Sequence, residues 1–150
     1  MAEEWFVNPG VQTISLSDGK TITVKKRLNT GEKRRAMRRM SHEDADGKLR
    51  VDRLDVALHT VTAYLLDWTV CDAGGRPVAI RGLDPSAMGE VLDNLEPERF
   101  DEIHAAINRH VEQMDADRAK EKNSQDGERN TSAISPSPVT CAGESSTSVN

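Results

Sequence analysis

At 150 residues the chain is long enough for one domain with a real core and too short for two of ordinary size. A formal charge of −5 argues against a nucleic-acid or anionic-membrane surface spread over the whole molecule. No apolar run approaches the ~20 residues that span a bilayer.

Trp5-Phe6-Val7 reads as a short strand or an apolar flap onto the core, followed by a turn at Asn8-Pro9-Gly10. Met1–Phe6 lacks the basic-then-apolar order of a leader, so the expectation is a cytosolic protein. From Thr13 to Arg27 the pattern predicts a β-hairpin. Ile14 and Leu16 alternate with polar residues, Ser17-Asp18-Gly19-Lys20 supplies the turn, and Ile22 and Val24 resume the alternation.

Asn29 with Glu32 fits a capping box, with Thr30 as the other candidate cap. The helix they start runs to Met40, with Ala36, Met37 and Met40 on one side and five cations around the rest. Ser41–Lys48 reads as a polar loop. Val51–Trp68 then forms the longest apolar-rich run. Leu54, Ala57, Leu58, Val61, Tyr64, Leu65 and Trp68 recur at steps of three and four, which predicts the central core helix.

After Trp68 the period returns to two. Thr69–Asp72, a turn at Ala73-Gly74-Gly75-Arg76, and Pro77–Ile80 read as a second hairpin. Asp84-Pro85 is a helix start, with Met88, Val91, Leu92 and Leu95 as the stripe. The last helix opens at Pro97 and reaches about Ala119, with Phe100, Ile103, Ile107, Val111 and Met114 on one face. From Asn123 to Asn150 Ser, Thr, Gly, Pro and Asn dominate. Such a segment buries too little apolar surface to offset its ordering entropy, so it is expected to be disordered. The fold class is therefore α+β: two β-hairpins packed on a bundle of about four helices over residues 1–122, then a disordered tail over 123–150.

The most conspicuous charge feature is Lys25–Arg39, with Lys25, Lys26, Arg27, Lys33, Arg34, Arg35, Arg38 and Arg39 set against Glu32. It can be a solvated helix face, a docking surface for an acidic protein, or a phosphate-facing patch. No aromatics interleave with the cations and no nucleic-acid-binding motif surrounds them, which weighs against nucleic acid. Arg34, Arg35, Met37, Arg38, Arg39 and Met40 are the candidate partner-binding residues, because Met repacks against varied surfaces. The bland alternative places both Met residues in the core.

Asp44-Ala45-Asp46-Gly47 resembles the start of a calcium loop, but position twelve counted from Asp44 is Asp55 rather than a bidentate Glu, so a plain turn is read. His42, His59, His104 and His110 read as flank or surface residues; His104 and His110, six apart, fall on different helix faces. Cys71 and Cys141 pair neither as a structural disulfide nor with a base. No catalytic, cofactor or metal residues are assigned, and the expectation is a protein that is not an enzyme.

Over Val11–Val111 the chain resembles the tail assembly chaperones of long-tailed bacteriophages. The likeness rests on Thr13–Glu32, Ala63-Tyr64-Leu65-Leu66-Asp67-Trp68, Gly75-Arg76-Pro77-Val78 and Leu95–Ile103. It implies a non-enzymatic protein that binds and solubilises the tape measure protein and helps recruit tail tube subunits during virion morphogenesis. It further implies activity in the host cytoplasm and absence from the finished particle. No cofactor or membrane is implied, self-association is left open, and a frameshifted longer product is common in such families. The alternatives are a structural tail or connector protein retained in the virion, and a small nucleic-acid-binding regulator using Lys25–Arg39.

Overall fold

Asp18-Gly19, the sharpest local signal in the chain, folds as expected. Gly19 adopts φ 79°, a left-handed conformation that a side chain would resist. It closes the hairpin of β1 (Val11–Ser15) and β2 (Thr21–Lys25), with Ile14 opposite Ile22. The computed structural model describes the backbone of residues 5–134 and side chains through residue 124. The remaining elements are α1 (Thr30–Met40), β3 (Ser41–Glu43), β4 (Leu49–Val51), α2 (Arg53–Tyr64), β5 (Leu65–Trp68), α3 (Pro85–Asp93) and α4 (Pro97–Ile134). The fold is α+β, with four helices and two small antiparallel sheets among the described residues.

The run read as one helix over Val51–Trp68 is three elements. Val51 ends β4, α2 stops at Tyr64, and Leu65–Trp68 is a strand. β5 pairs antiparallel with β2 and completes a sheet of order β1-β2-β5. Trp68 lies opposite Ile22, Asp67 opposite Thr23, and Leu65 opposite Val24, so Leu66 is the extra residue of a β-bulge. That bulge puts Leu65 and Trp68 on one face although they are three apart. The free edge of β2 offered the chain a hydrogen-bonded ladder, and tertiary pairing overrode the local helical spacing.

The core gathers on this sheet. Ile22 and Val24 from β2 and Val61 from α2 are wholly buried. So are Ile80, ahead of α3, and Ile107 from α4, while Leu65, Trp68, Met88, Leu92, Ile103 and Ala106 are nearly so. Each such aliphatic side chain contributes roughly 1.5–3 kcal/mol by leaving water. α3 begins as its sequence predicts: Asp84 accepts a hydrogen bond from the Ala87 N–H at 2.7 Å, with Pro85 at the first helical position.

The second predicted hairpin is present in reduced form. Cys71 bridges Pro77, and the Val78 N–H donates to the Val70 carbonyl at 3.0 Å, but the ladder is too short to make strands. Pro77 lacks an N–H to extend it. The Trp68 indole N–H holds this loop by donating to the Val78 carbonyl at 2.8 Å.

The second sheet lies where a polar loop was expected. Ser41 pairs with Val51, His42 with Arg50, and Glu43 with Leu49, around a turn containing Asp46 and Gly47 (φ 74°). The flap expected at Trp5-Phe6-Val7 does not fold onto the core: Trp5 and Phe6 are 86% and 90% exposed.

The chain divides into two compact units, Met1–Glu112 and Gln113–Asn150, and α4 contributes to both. α4 is longer than its apolar stripe predicts. The segment read as disordered begins within this helix, whose backbone continues to Ile134; residues 135–150 lie outside the described residues. No described helix is long and apolar enough to cross a membrane.

Candidate functional site at α1 and the β3–β4 hairpin

α1 starts on the capping box read from the sequence, with Asn29 rather than Thr30 as the cap. The Asn29 side-chain oxygen accepts from the Glu32 N–H at 2.9 Å, and Glu32 accepts from the Asn29 N–H at 2.9 Å. Glu32 also takes the Lys25 ammonium at 2.7 Å. Burial raises the Glu32 pKa, but the Lys25 hydrogen bond, the Asn29 N–H and the nearby charges of Lys25 and Arg35 outweigh it. The carboxyl titrates below its usual range. The N-terminus of α1 is thus anchored to the end of β2.

Its body stands apart from the core. Ala36 is the one buried residue of α1, and it lies outside the main core cluster. α1 packs against α2 and runs directly into β3. Arg34, Arg35, Arg38 and Arg39 are all exposed. Among the described residues none of the four forms an ion pair. The two methionines separate: Met37 is 69% exposed, whereas Met40 is half-buried. The eight-cation run is accordingly not one patch, since Lys25 belongs to β2 and is neutralised while the four arginines lie on a separate helix.

The structure adds residues that sequence periodicity assigned elsewhere. Leu49, Val51 and Leu54 are 75%, 62% and 80% exposed. Leu49 and Val51 alternate along β4 and so share a face. Val51 pairs with Ser41, whose hydroxyl donates to the Met37 carbonyl at 3.1 Å, and Leu54 sits in the first turn of α2. Val51 and Leu54 had been placed at the start of the core helix. The Asp46-Gly47 dipeptide, the usual mark of a tight hairpin, was the signal that could have found this corner.

Two of the neighbouring carboxylates already have partners. Asp44 accepts from the Asp46 and Lys48 N–H groups and pairs with Arg50 at 2.7 Å. These bonds, the Lys48 N–H first, lower its pKa and explain the calcium-like spacing as turn chemistry. Asp52 caps α2 through the Leu54 N–H at 2.8 Å. Among the described residues no group of three His, Cys, Asp or Glu gathers as a metal site would require.

A second feature lies within the first unit, between the β1–β2 turn, the 69–78 loop, α3 and the start of α4. This cleft of about 660 Å³ has an apolar floor that includes Leu16, Trp68, Val70, Val78, Leu95 and Ile103. Its rim is internally tied. Glu102 accepts the Ser17 N–H at 2.6 Å and the Arg99 guanidinium at 3.1 Å, and Arg99 reaches Asp18 at 3.7 Å. The Lys20 ammonium approaches the Cys71 thiol at 3.9 Å. Cys141 lies outside the described residues.

The histidines are scattered. His42 is exposed near Asp55, and His104 stacks on Phe100. His110 corrects its surface reading: it is 5% exposed, and its Nε2 lies 3.0 Å from the Lys25 carbonyl oxygen. A carbonyl can only accept, so Nε2 carries the proton, and among the described residues the buried Nδ1 finds no hydrogen-bond partner.

Compared with protein-family models, curated proteins and solved structures, the chain has no match.

Proposed function

We propose that the chain is a tail assembly chaperone of a long-tailed bacteriophage, a binding protein rather than an enzyme. It holds the tape measure protein in solution in the host cytoplasm and helps recruit tail tube subunits, and it leaves before the particle matures. The sequence phrases quoted above suggest the family. The observation that carries a docking role is α1 itself: a capped helix outside the core cluster, with four arginines that form no ion pair among the described residues and an exposed Met37. A tape measure protein exposes apolar helical stripes until the tube encloses it, and a rigid amphipathic face can cover such stripes in the helix-in-groove manner. Several copies along one partner would gain by avidity.

Co-expression tests this reading. The tape measure protein should be soluble with the chain and aggregate without it, and purified virions should lack the chain. Stoichiometric amounts in virions would transfer the protein to the structural class. Steeply salt-dependent binding to duplex DNA, lost on replacing Arg34, Arg35, Arg38 and Arg39 by Ala, would instead support the regulator reading.

A further inference from the structure

We propose that the corner built by α1, the β3–β4 hairpin and the first turn of α2 docks an acidic amphipathic helix of a partner protein. The proposal rests on the binding role just described and specifies its surface and its ligand. Two independent properties meet at this corner. The first is apolar: Met37, Leu49, Val51 and Leu54 are each more than 60% exposed. They are linked by the Ser41–Val51 pairing and by the Ser41 hydroxyl on the Met37 carbonyl. Isolated exposed apolar residues are ordinary on any protein, but four on adjoining elements form the kind of patch that marks an interaction site.

The second property is charge. Among the described residues Arg34, Arg38 and Arg39 have no carboxylate partner and Arg35 faces only Glu32 without an ion pair, whereas Asp44 and Asp52 beside the apolar residues are committed to a turn and a helix cap. Arg34 and Arg38 lie within one turn of Met37 on α1, so the corner offers cations beside exposed apolar residues, and its complement is an apolar stripe flanked by Glu or Asp. β3 and β4 are three residues long, too short to template a partner strand, so recognition falls to side chains. A helix with apolar residues at i, i+3, i+4 and i+7 presents side chains in that way. Arginine suits the flanking contacts because its planar fork meets carboxylates in pairs.

The probes are two synthetic helices with one leucine stripe, flanked by Glu in one and by Lys in the other, titrated against the full chain. The Glu helix should bind and the Lys helix should not. The paired variants Val51→Ser with Leu54→Ser, and Arg34→Glu with Arg38→Glu, should each weaken the Glu helix at least tenfold while leaving the melting temperature near wild type. All four positions are exposed, so folding does not depend on them. Equal binding of both helices, or affinity unchanged in both variants, overturns the proposal. So does a wild-type dimer that either variant converts to monomer, because a second copy then occupies the corner. Duplex DNA competing with the Glu helix and affected only by the arginine variant also overturns it. Failure of the two readings is distinguishable. A tape measure protein solubilised equally by wild type and both variants removes the corner and leaves the chaperone. A Glu helix bound as described beside an insoluble tape measure protein does the reverse.

Discussion

Replacing Asn29 by Ala tests whether the anchored start of α1 is what holds the proposed docking helix in place. The substitution removes the side-chain oxygen that accepts the Glu32 N–H at 2.9 Å, while the Glu32 carboxylate keeps its bond from the residue-29 N–H. Loss of one N-cap acceptor costs about 1 kcal/mol. In a unit the size of Met1–Glu112 this lowers Tm by about 4 °C. Asn29→Ser, an equivalent cap, should restore most of the loss. Glu32→Gln separates the electrostatic part, because Gln retains the box geometry and loses the charge facing Lys25. Its cost at neutral pH is a few tenths of a kcal/mol, as for other partly exposed pairs. The folded-state pKa of Glu32 lies below its ordinary value of 4.5. Its stabilising contribution is therefore complete above 4.5 and disappears as pH falls through the depressed folded value. Thermal melts followed by far-ultraviolet circular dichroism at pH 7 and pH 3 provide the readout. The gap between wild type and Glu32→Gln should close in acid. Asn29→Ala melting with wild type at pH 7, or Glu32→Gln melting with wild type there, would show that the box does not anchor α1.

Three further outcomes follow from the geometry. Gly89 is helical within α3, and a Cβ there would meet no heavy atom within 4 Å, so Gly89→Ala should stabilise by about 0.5–1 kcal/mol; a lower Tm would contradict this. Trp68→Phe removes the donor to the Val78 carbonyl, at about 1–3 kcal/mol, and should speed hydrogen exchange at the Val78 amide relative to Ile22. Unchanged Val78 protection would mean that the indole does not pin the loop. The Glu102 carboxyl is held below its ordinary 4.5, first by the Ser17 N–H and also by the Ser17 hydroxyl and Arg99. The Ser17 amide resonance should titrate with a midpoint under 4.5, and Glu102→Gln should abolish that titration.

Local chemistry made much of the fold legible. Asp18-Gly19 specifies its turn because Gly tolerates positive φ, and Asn29 with Glu32, like Asp84 with Pro85, satisfies helix donors within a few residues. The stripe of Ile103 and Ile107 marks the core face of α4 without any knowledge of its neighbours. The arginines of α1 were legible as a basic run for the same reason, since charge is read directly from residue type.

The centre of the chain was decided elsewhere. Leu65 and Trp68 are three residues apart, which in a helix places two side chains on one face, and a bulged strand does the same by adding Leu66. Periodicity cannot separate those cases. The unpaired edge of β2 does, since a strand there gains a ladder that a helix would forgo. With α2 confined to Arg53–Tyr64, Val51 falls in β4 and Leu54 in the exposed first turn of α2, and like Leu49 and Met37 they stand in solvent. The sequence determined which residues are apolar and where the local turns and caps fall. Only the pairing of distant strands decided which of those apolar residues form the core and which remain exposed.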